Sequence, residues 1–270
     1  MRTLRAAPVV LPLAAALLAS CGSGARVAPQ SEEGATQPHH AAPLAISKHA
    51  LLRRVCRAGA SVHSTPSRSF AALVRTDAEI RTQPSGGRVL ARVARVDENG
   101  YRTVLGIVAG RLAAGACRDT AYRVQLPLPP NGRTGWISAS AVQVFSVGGR
   151  IVVDLSARRL VAYRDGHAVL RAPVAIGAPS TPTPVGRYFV NERWLLSNPN
   201  GPFGIAALGI SAHSNVLHDW VEDGPIALHG TDEPWLIGRA VSHGCIRLSN
   251  ADMQRLLRLA PAGTPVTIRQ

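Results

Sequence analysis

Residues 227–232 read ALHGTD and residues 240–250 read AVSHGCIRLSN, and these two stretches carry the densest chemical signal in the chain. They place His229, His243 and Cys245 within seventeen residues of one another. A free cysteine titrates near pH 8.5, so an enzyme that works near neutral pH gains from an imidazole that takes the thiol proton or holds the thiolate as an ion pair. The pattern therefore favours thiolate chemistry.

The spacing of these residues leaves two alternative bases for the thiol. His243 lies two residues before Cys245, and residues two apart in an extended segment point the same way. Gly244, however, indicates a tight turn in which backbone amides approach an oxyanion, and a strand-end His229 across the cleft would meet the thiol more freely. Spacing alone does not choose between the two histidines.

The region from Arg150 to Gln270 is rich in strand patterns and contains one convincing helix. Apolar, β-branched runs predict four strands, at residues 151–155, 160–163, 168–176 and 264–268. The turn Arg164-Asp165-Gly166 suits a hairpin between two of them. Ser249 or Asn250 can cap the helix, and Pro261 with Gly263 ends it. Its apolar face consists of Met253, Leu256, Leu257 and Ala260.

A second β-rich region extends from Phe70 to about residue 146. Its short strand-like runs are separated by turn sequences, at residues 84–87, 99–100 and 129–132. Residues 80–84, IRTQP, and residues 134–137, TGWI, resemble the opening and closing segments of bacterial SH3-like domains. The resemblance implies a wall- or peptide-binding role, and the alternative is a spacer that orients the C-terminal region.

Two motifs together resemble the L,D-transpeptidase catalytic domain, also called the YkuD domain. The first is His229-Gly230-Thr231 followed by residues 242–245, SHGC; the second is residues 181–188, TPTPVGRY. The resemblance covers roughly residues 150–268. It implies a β-rich fold, a nucleophile at Cys245 and a proton acceptor at His229.

The same resemblance implies roles for the neighbouring residues. The Gly230 carbonyl would accept from Nδ1 of His229 and leave Nε2 for the thiol. Ser242, His243 and Gly244 would shape the site or supply the oxyanion donors. Arg247 has two readings, a bidentate contact to a substrate carboxylate or a structural ion pair. His213 also has two, a residue lining the cleft or a structural histidine.

The implied reaction is acyl transfer on peptidoglycan stem peptides, without a cofactor or metal. The Cys245 thiolate attacks the L,D bond before the terminal D-Ala of a tetrapeptide stem, and the thioester passes its acyl group to an amine of a neighbouring stem. Water or a free D-amino acid would resolve the same thioester. Two other classes stay as alternatives: a zinc hydrolase using His213, His229, His243 and Cys245, and a wall-binding lipoprotein without catalysis.

The N-terminus predicts export. Arg2 and Arg5 precede an apolar stretch that is short for a membrane span, which is typical of a signal peptide. The stretch ends in residues 18–21, LASC, which resembles the lipobox of bacterial lipoproteins and implies lipidation of Cys21. The alternative is ordinary cleavage near Ala19. We predict an exported protein, lipid-anchored in the outer leaflet of the cytoplasmic membrane and facing the wall.

The remaining two cysteines lie on either side of the middle region. In an oxidising compartment Cys56 and Cys117 are candidates for a disulfide, and the alternative is two buried thiols.

Taken together, these patterns predict four segments: a lipoprotein signal peptide at residues 1–21, a flexible linker with a candidate short helix at 22–69, an SH3-like β domain at 70–146 and the catalytic domain at 149–270. The predicted fold class is mainly β.

The charge of the chain points to an anionic surface. The formal net charge is +14 and the isoelectric point about 11.2. The arginines are spread along the chain without a nucleic-acid module or a basic run, so we predict no nucleic-acid binding. An anionic wall polymer or lipid headgroup satisfies the same electrostatics.

Overall fold

Strands dominate the computed structural model of this protein, which describes residues 62, 64–65, 68–112, 119–217 and 224–270. Within those ranges there is one α-helix, so the mainly β prediction is confirmed. None of the helical residues in the described ranges forms a segment long and apolar enough to cross a bilayer. The predicted signal peptide, Cys21, Cys56, Cys117 and almost all of the predicted linker lie outside the described residues.

The first sheet contains seven antiparallel strands in the order β3-β2-β6-β5-β4-β1-β7. Its strands are β1 (Ser69–Val74), β2 (Ala78–Arg81), β3 (Val89–Val93), β4 (Val104–Leu112), β5 (Asp119–Gln125), β6 (Thr134–Ser138) and β7 (Val142–Val147). The turns predicted at residues 99–100 and 129–132 fall between strands, and Gly100 and Gly132 have positive φ there. The SH3-like assignment of this region stays a prediction.

The second sheet contains eight strands in the order β10-β9-β8-β17-β12-β13-β14-β16, and β11 pairs separately with β15. Its long strands are β8 (Gly149–Asp154), β9 (Arg159–Arg164), β10 (His167–Pro173), β12 (Gly186–Leu195), β13 (Ala206–His213), β14 (Pro225–His229) and β17 (Pro265–Arg269). The short strands are β11 (Ile176–Gly177), β15 (Ala240–Ser242) and β16 (Ile246–Arg247). The pairs β8–β17 and β14–β16 are parallel.

The predicted hairpin forms, but the third predicted strand is shorter than expected. Asp165 and Gly166 both have positive φ, which a tight two-residue hairpin turn requires. β10 ends at Pro173, because its partner β9 begins at Arg159, directly after a turn in which Arg158 has positive φ. The next amide, Val174 N–H, donates to the Arg158 carbonyl, and Ala175 bridges to Arg247. The chain thereby turns from the hairpin toward the candidate nucleophile.

The helix α1 (Asn250–Leu259) covers the core of the second sheet. Ser249 caps it by accepting a hydrogen bond from the Asp252 amide. Of the two residues predicted as possible caps, the cap is therefore Ser249. Met253 and Leu256 of the predicted apolar face are fully buried. They join a cluster of strand residues drawn from both halves of the sheet.

The two sheets contact each other through β12. The Phe189 ring belongs to the apolar cluster of the first sheet and lies against Gly106, where a β-carbon would come within 2.8 Å of the ring. Gln125 donates to the Arg187 carbonyl at 2.6 Å. Asn131 bonds both backbone groups of His213, donating to its carbonyl and accepting from its amide. These contacts hold the end of β13 against the first sheet.

Candidate active site

Cys245 lies in the turn between β15 and β16, at the end of a cavity of about 370 Å³. Its Sγ accepts a hydrogen bond from the Ala227 amide at 3.4 Å. Gly244 adopts φ 116°, the left-handed region that the predicted tight turn requires, and a β-carbon there would come within 2.8 Å of Ile226 Cδ1. The thiol is therefore positioned by backbone geometry that a side chain at residue 244 would disrupt.

His229 ends β14 and lines the same cavity as Cys245. Only 3% of its surface is exposed, and its Nδ1 lies 2.6 Å from the Gly230 carbonyl oxygen, the contact that the sequence resemblance implied. Because a carbonyl oxygen can only accept, Nδ1 carries the proton and Nε2 keeps its lone pair. His229 is thus arranged as a proton acceptor. His243 lines the cavity too but is exposed.

Burial sets the protonation states of the candidate pair. It lowers the pKa of His229 to about 4, the Gly230 hydrogen bond opposes this shift, and the Arg247 charge adds a further lowering. Burial raises the pKa of the Cys245 thiol, while the Ala227 amide and the Arg247 charge act in the opposite direction. Near neutral pH the resting site therefore contains a neutral imidazole and a thiol rather than an ion pair.

Two hydroxyl groups clamp the turn that carries the thiol. Ser242 Oγ donates to the Cys245 carbonyl at 2.6 Å and accepts from the Gly244 amide at 3.1 Å. Thr183 Oγ1 donates to the Gly244 carbonyl at 2.8 Å and accepts from the Gly177 amide. The Gly244 amide, which we expected to face an oxyanion, is therefore occupied. The Cys245 amide, which makes no hydrogen bond among the described residues, is the remaining candidate donor.

Arg247 forms the structural ion pair that was one of its two predicted readings. Its Nη1 lies 3.0 Å from Glu233 Oε2, and its side chain lines the cavity. Its Nε is buried and has no hydrogen-bond partner in the described part of the chain. The ion pair and a further contact to a ligand are therefore compatible, because the guanidinium has donors to spare.

His213 lies elsewhere. It lines a neighbouring cavity of about 490 Å³ between the two sheets and is not among the residues around the thiol. No group of three or more His, Cys, Asp or Glu side chains within the described ranges is arranged to hold a metal ion.

The C-terminal region matches a known family model. Residues 148–268 match the model of the L,D-transpeptidase catalytic domain, YkuD. A putative L,D-transpeptidase YkuD of Bacillus licheniformis is 38% identical over 119 residues, which span 44% of this chain and 64% of that protein. Its counterpart in Bacillus subtilis is 33% identical over 126 residues, spanning 47% of this chain and 69% of that protein.

The chain belongs to the L,D-transpeptidase (YkuD) family. The first of these relatives is matched over less than two thirds of its length. Among solved structures, an L,D-transpeptidase from Mycobacterium smegmatis aligns with 76% of this chain and 100% of its own, at 18% identity and a TM-score of 0.40.

Several residues at the L,D-transpeptidase site were missed by the sequence analysis. Asn250 Oδ1 accepts from the Thr231 amide at 3.1 Å and packs against Gly230, which fixes the loop after His229. Phe203 packs edge-on against the His229 ring, with centroids 4.9 Å apart. Glu192 and Asn99 line the far end of the cavity. Thr183 and Asn250 carried a signal, because Thr183 lies inside the second predicted motif and Asn250 ends the stretch around Cys245.

Proposed function

We propose that this protein is a cysteine-dependent peptidoglycan L,D-transpeptidase, with Cys245 as nucleophile and His229 as its base. The observation that carries the proposal is the arrangement of the two residues around one cavity, with Nδ1 of His229 committed to the Gly230 carbonyl. That contact leaves Nε2 as the nitrogen able to take a proton from the thiol. The family membership supports the same class of reaction.

The first half-reaction begins from the neutral pair. A tetrapeptide stem enters the cavity, and Nε2 of His229 removes the thiol proton as Sγ attacks the carbonyl carbon before the terminal D-Ala. The Cys245 amide donates to the oxygen as negative charge develops on it. When the tetrahedral intermediate collapses, the C–N bond breaks, D-Ala leaves with the proton from His229, and a thioester remains on Cys245.

The second half-reaction uses the same two residues in reverse. An amine of a neighbouring stem attacks the thioester carbonyl, His229 accepts the proton of that amine, and the C–S bond breaks with the proton returned to the thiol. The product is a cross-link between two stems. Water or a free D-amino acid would give carboxypeptidase or exchange activity through the same thioester.

The positive charge of Arg247 acts on both His229 and Cys245. Its position beside the pair supports a role in keeping His229 neutral, and its buried Nε supports contact with a substrate carboxylate. Ser242 and Thr183 hold the turn so that the Cys245 amide and thiol keep their mutual geometry. His243 borders the entrance as an exposed residue.

The cellular context is part of the proposal. The N-terminal pattern of residues 1–21 supports export and anchoring through a lipid on Cys21, which would place the enzyme at the outer face of the cytoplasmic membrane, next to its substrate. The SH3-like region, residues 70–146, would then bind the wall or act as a spacer. A disulfide between Cys56 and Cys117 would suit this oxidising location.

The decisive experiment is mass spectrometry of the full-length protein incubated with a tetrapeptide stem. We expect a mass increase equal to the stem minus its terminal D-Ala, located on Cys245, and no increase in Cys245→Ala. Activity should survive EDTA and disappear with iodoacetamide. Folded protein that forms no adduct, or that loses activity with EDTA alone, would overturn the proposal. Adding acceptors one at a time then identifies the one that resolves the thioester.

A further inference from the structure

A row of three residues runs across the second sheet from Cys245 to the far end of its cavity. Glu192 pairs with Gly209 on the next strand, and Gly209 pairs with Ala227 on the strand after it. The Ala227 amide in turn donates to Cys245 Sγ. Partners in a ladder lie on the same face of a sheet, about 5 Å apart, so the Cα atoms of Glu192 and Ala227 are about 10 Å apart.

Gly209 keeps the space between the two ends open. A β-carbon at this position would come within 3.1 Å of the Trp194 ring and 3.3 Å of Glu192 Cβ. Ala227, the next residue in the row, contributes only a methyl group, so no large side chain of this row lies between Glu192 and Cys245. Glu192 and Cys245 consequently line one continuous cavity of about 370 Å³.

The far end of this cavity is lined by hydrogen-bond acceptors. Glu192 contributes a carboxylate, and Asn191 beside it contributes a buried Oδ1 that has no hydrogen-bond partner among the described residues. A register shift in β12 between Val190 and Glu192 brings the two consecutive side chains to the same cavity. A carboxylate next to an unsatisfied amide oxygen suits an ammonium donor.

The first sheet supplies the third member of this group. Asn99, in the turn between β3 and β4, donates from Nδ2 to Glu192 Oε2 at 3.1 Å and lines the same cavity. The backbone N–H of Asn99 donates to Asp97 Oδ1 at 3.1 Å. A residue of the first sheet therefore orients the Glu192 carboxylate of the second sheet, and residues of both sheets line the cavity.

The spacing matches the residue on which the proposed reaction acts. A diamino acid side chain extends about 6 Å from its Cα to its amine, and a glutamate side chain covers most of the remaining distance. We propose that Glu192, supported by Asn191 and Asn99, binds the side-chain ammonium of the diamino acid residue whose carbonyl Cys245 attacks. This inference rests on the proposed transpeptidase function and makes Glu192 a specificity-determining residue.

The test compares two donor stems in single-turnover acylation of the full-length protein. One tetrapeptide stem has diaminopimelate at the attacked residue, and the other has the aminopimelate counterpart, which lacks only the side-chain amine. Because only thioester formation is followed, by the mass of the Cys245 adduct, the amine cannot contribute as an acceptor. We expect the wild type to acylate about tenfold or more faster, at limiting substrate, with the ammonium-bearing stem.

Glu192→Gln should remove this preference by slowing the diaminopimelate stem alone, since glutamine keeps the size and can still accept from Asn99. Asn99→Ala should reduce the preference in part. Glu98→Gln is the matched control: it removes a carboxylate charge from the residue next to Asn99, on an exposed side chain that does not line the catalytic cavity, and should keep the preference.

Two results would overturn the subsite while leaving the transpeptidase intact. One is equal acylation of both stems by the wild type, and the other is an equal slowing of both stems in Glu192→Gln, which would mean a structural role. Failure of folded wild-type protein to form an adduct with either stem would instead overturn the proposed function, and the subsite with it. Thermal unfolding of each variant checks the fold.

Discussion

The hydroxyl of Thr183 donates a 2.8 Å hydrogen bond to the carbonyl oxygen of Gly244, sixty-one residues further along the chain and adjacent to the candidate nucleophile. Thr183 Oγ1 also accepts a hydrogen bond from the Gly177 amide at 2.9 Å, and Thr183 is 4% exposed. One buried hydroxyl therefore satisfies two backbone groups that would otherwise lack a partner. It links the second predicted motif directly to the turn that presents the thiol.

Replacing Thr183 by valine keeps the shape of the side chain and removes both hydrogen bonds. We expect a loss of about 1–3 kcal/mol in the free energy of unfolding, because a buried donor and a buried acceptor are left unsatisfied. Acylation of Cys245 should slow as well, since the turn loses its brace. Chemical denaturation and the rate of adduct formation measure the two effects.

Thr183→Ser is the matched control, because serine retains the hydroxyl and loses only a methyl group. It should recover most of the stability and most of the acylation rate. If the serine variant acylates as slowly as the valine variant, the methyl packing rather than the hydrogen-bond pair supports the turn.

Local patterns were sufficient to predict four strands and the helix of the C-terminal region, but not β12, β13 or β14. Alternating β-branched residues predicted β8, β9 and β17, and the Asp165-Gly166 turn fixed the hairpin, because such features depend only on neighbouring residues. The motif around Cys245 predicted the tight turn at Gly244 for the same reason. The strand that ends at Pro173 was overextended, because its apolar run continues past the point where its partner strand β9 begins.

The unpredicted features depend on contacts between distant parts of the chain. Asn131 binds the backbone of His213, eighty-two residues away, so the histidine faces the space between the sheets rather than the thiol. Asn99 and Glu192 meet across ninety-three residues. Single polar residues in loops carry no periodicity, so no local pattern distinguishes these asparagines from solvated ones.

The pH dependence of acylation reports the state of His229. Its pKa is lowered to about 4, mainly by burial, so the neutral base form persists as pH falls and is lost only near that value. We expect the acid limb of kcat/KM near pH 4 instead of the value of about 6.5 for an unperturbed histidine. An acid limb near 6.5 would contradict a buried, neutral His229.

Removing the charge of Arg247 should move that acid limb upward. Burial is the larger cause of the low pKa of His229, and the Arg247 charge is a smaller one, so Arg247→Gln should raise the pKa of His229 toward its ordinary value. Glu233→Gln is the matched comparison, because it removes the ion-pair partner and leaves the guanidinium charge in place. The acid limb of kcat/KM in Glu233→Gln should not move to higher pH. Equal upward shifts in both variants would mean that the intact ion pair, rather than the charge, matters.

Asn250 and Ser249 are adjacent at the start of α1 but act on different structures, and this separates helix stability from site geometry. Ser249 caps the helix, whereas Asn250 Oδ1 accepts from the Thr231 amide and packs against Gly230, whose carbonyl orients His229. Ser249→Ala should lower the free energy of unfolding by about 1 kcal/mol with little change in acylation per folded molecule. Asn250→Ala should slow acylation about tenfold or more, because the Gly230 carbonyl is no longer held where Nδ1 of His229 needs it.

Titration of folded protein with iodoacetamide gives the number of accessible thiols, and the acylation rates of both variants are normalised to that number. If both variants lose activity in proportion to stability alone, Asn250 is a helix residue and not a positioning residue for His229.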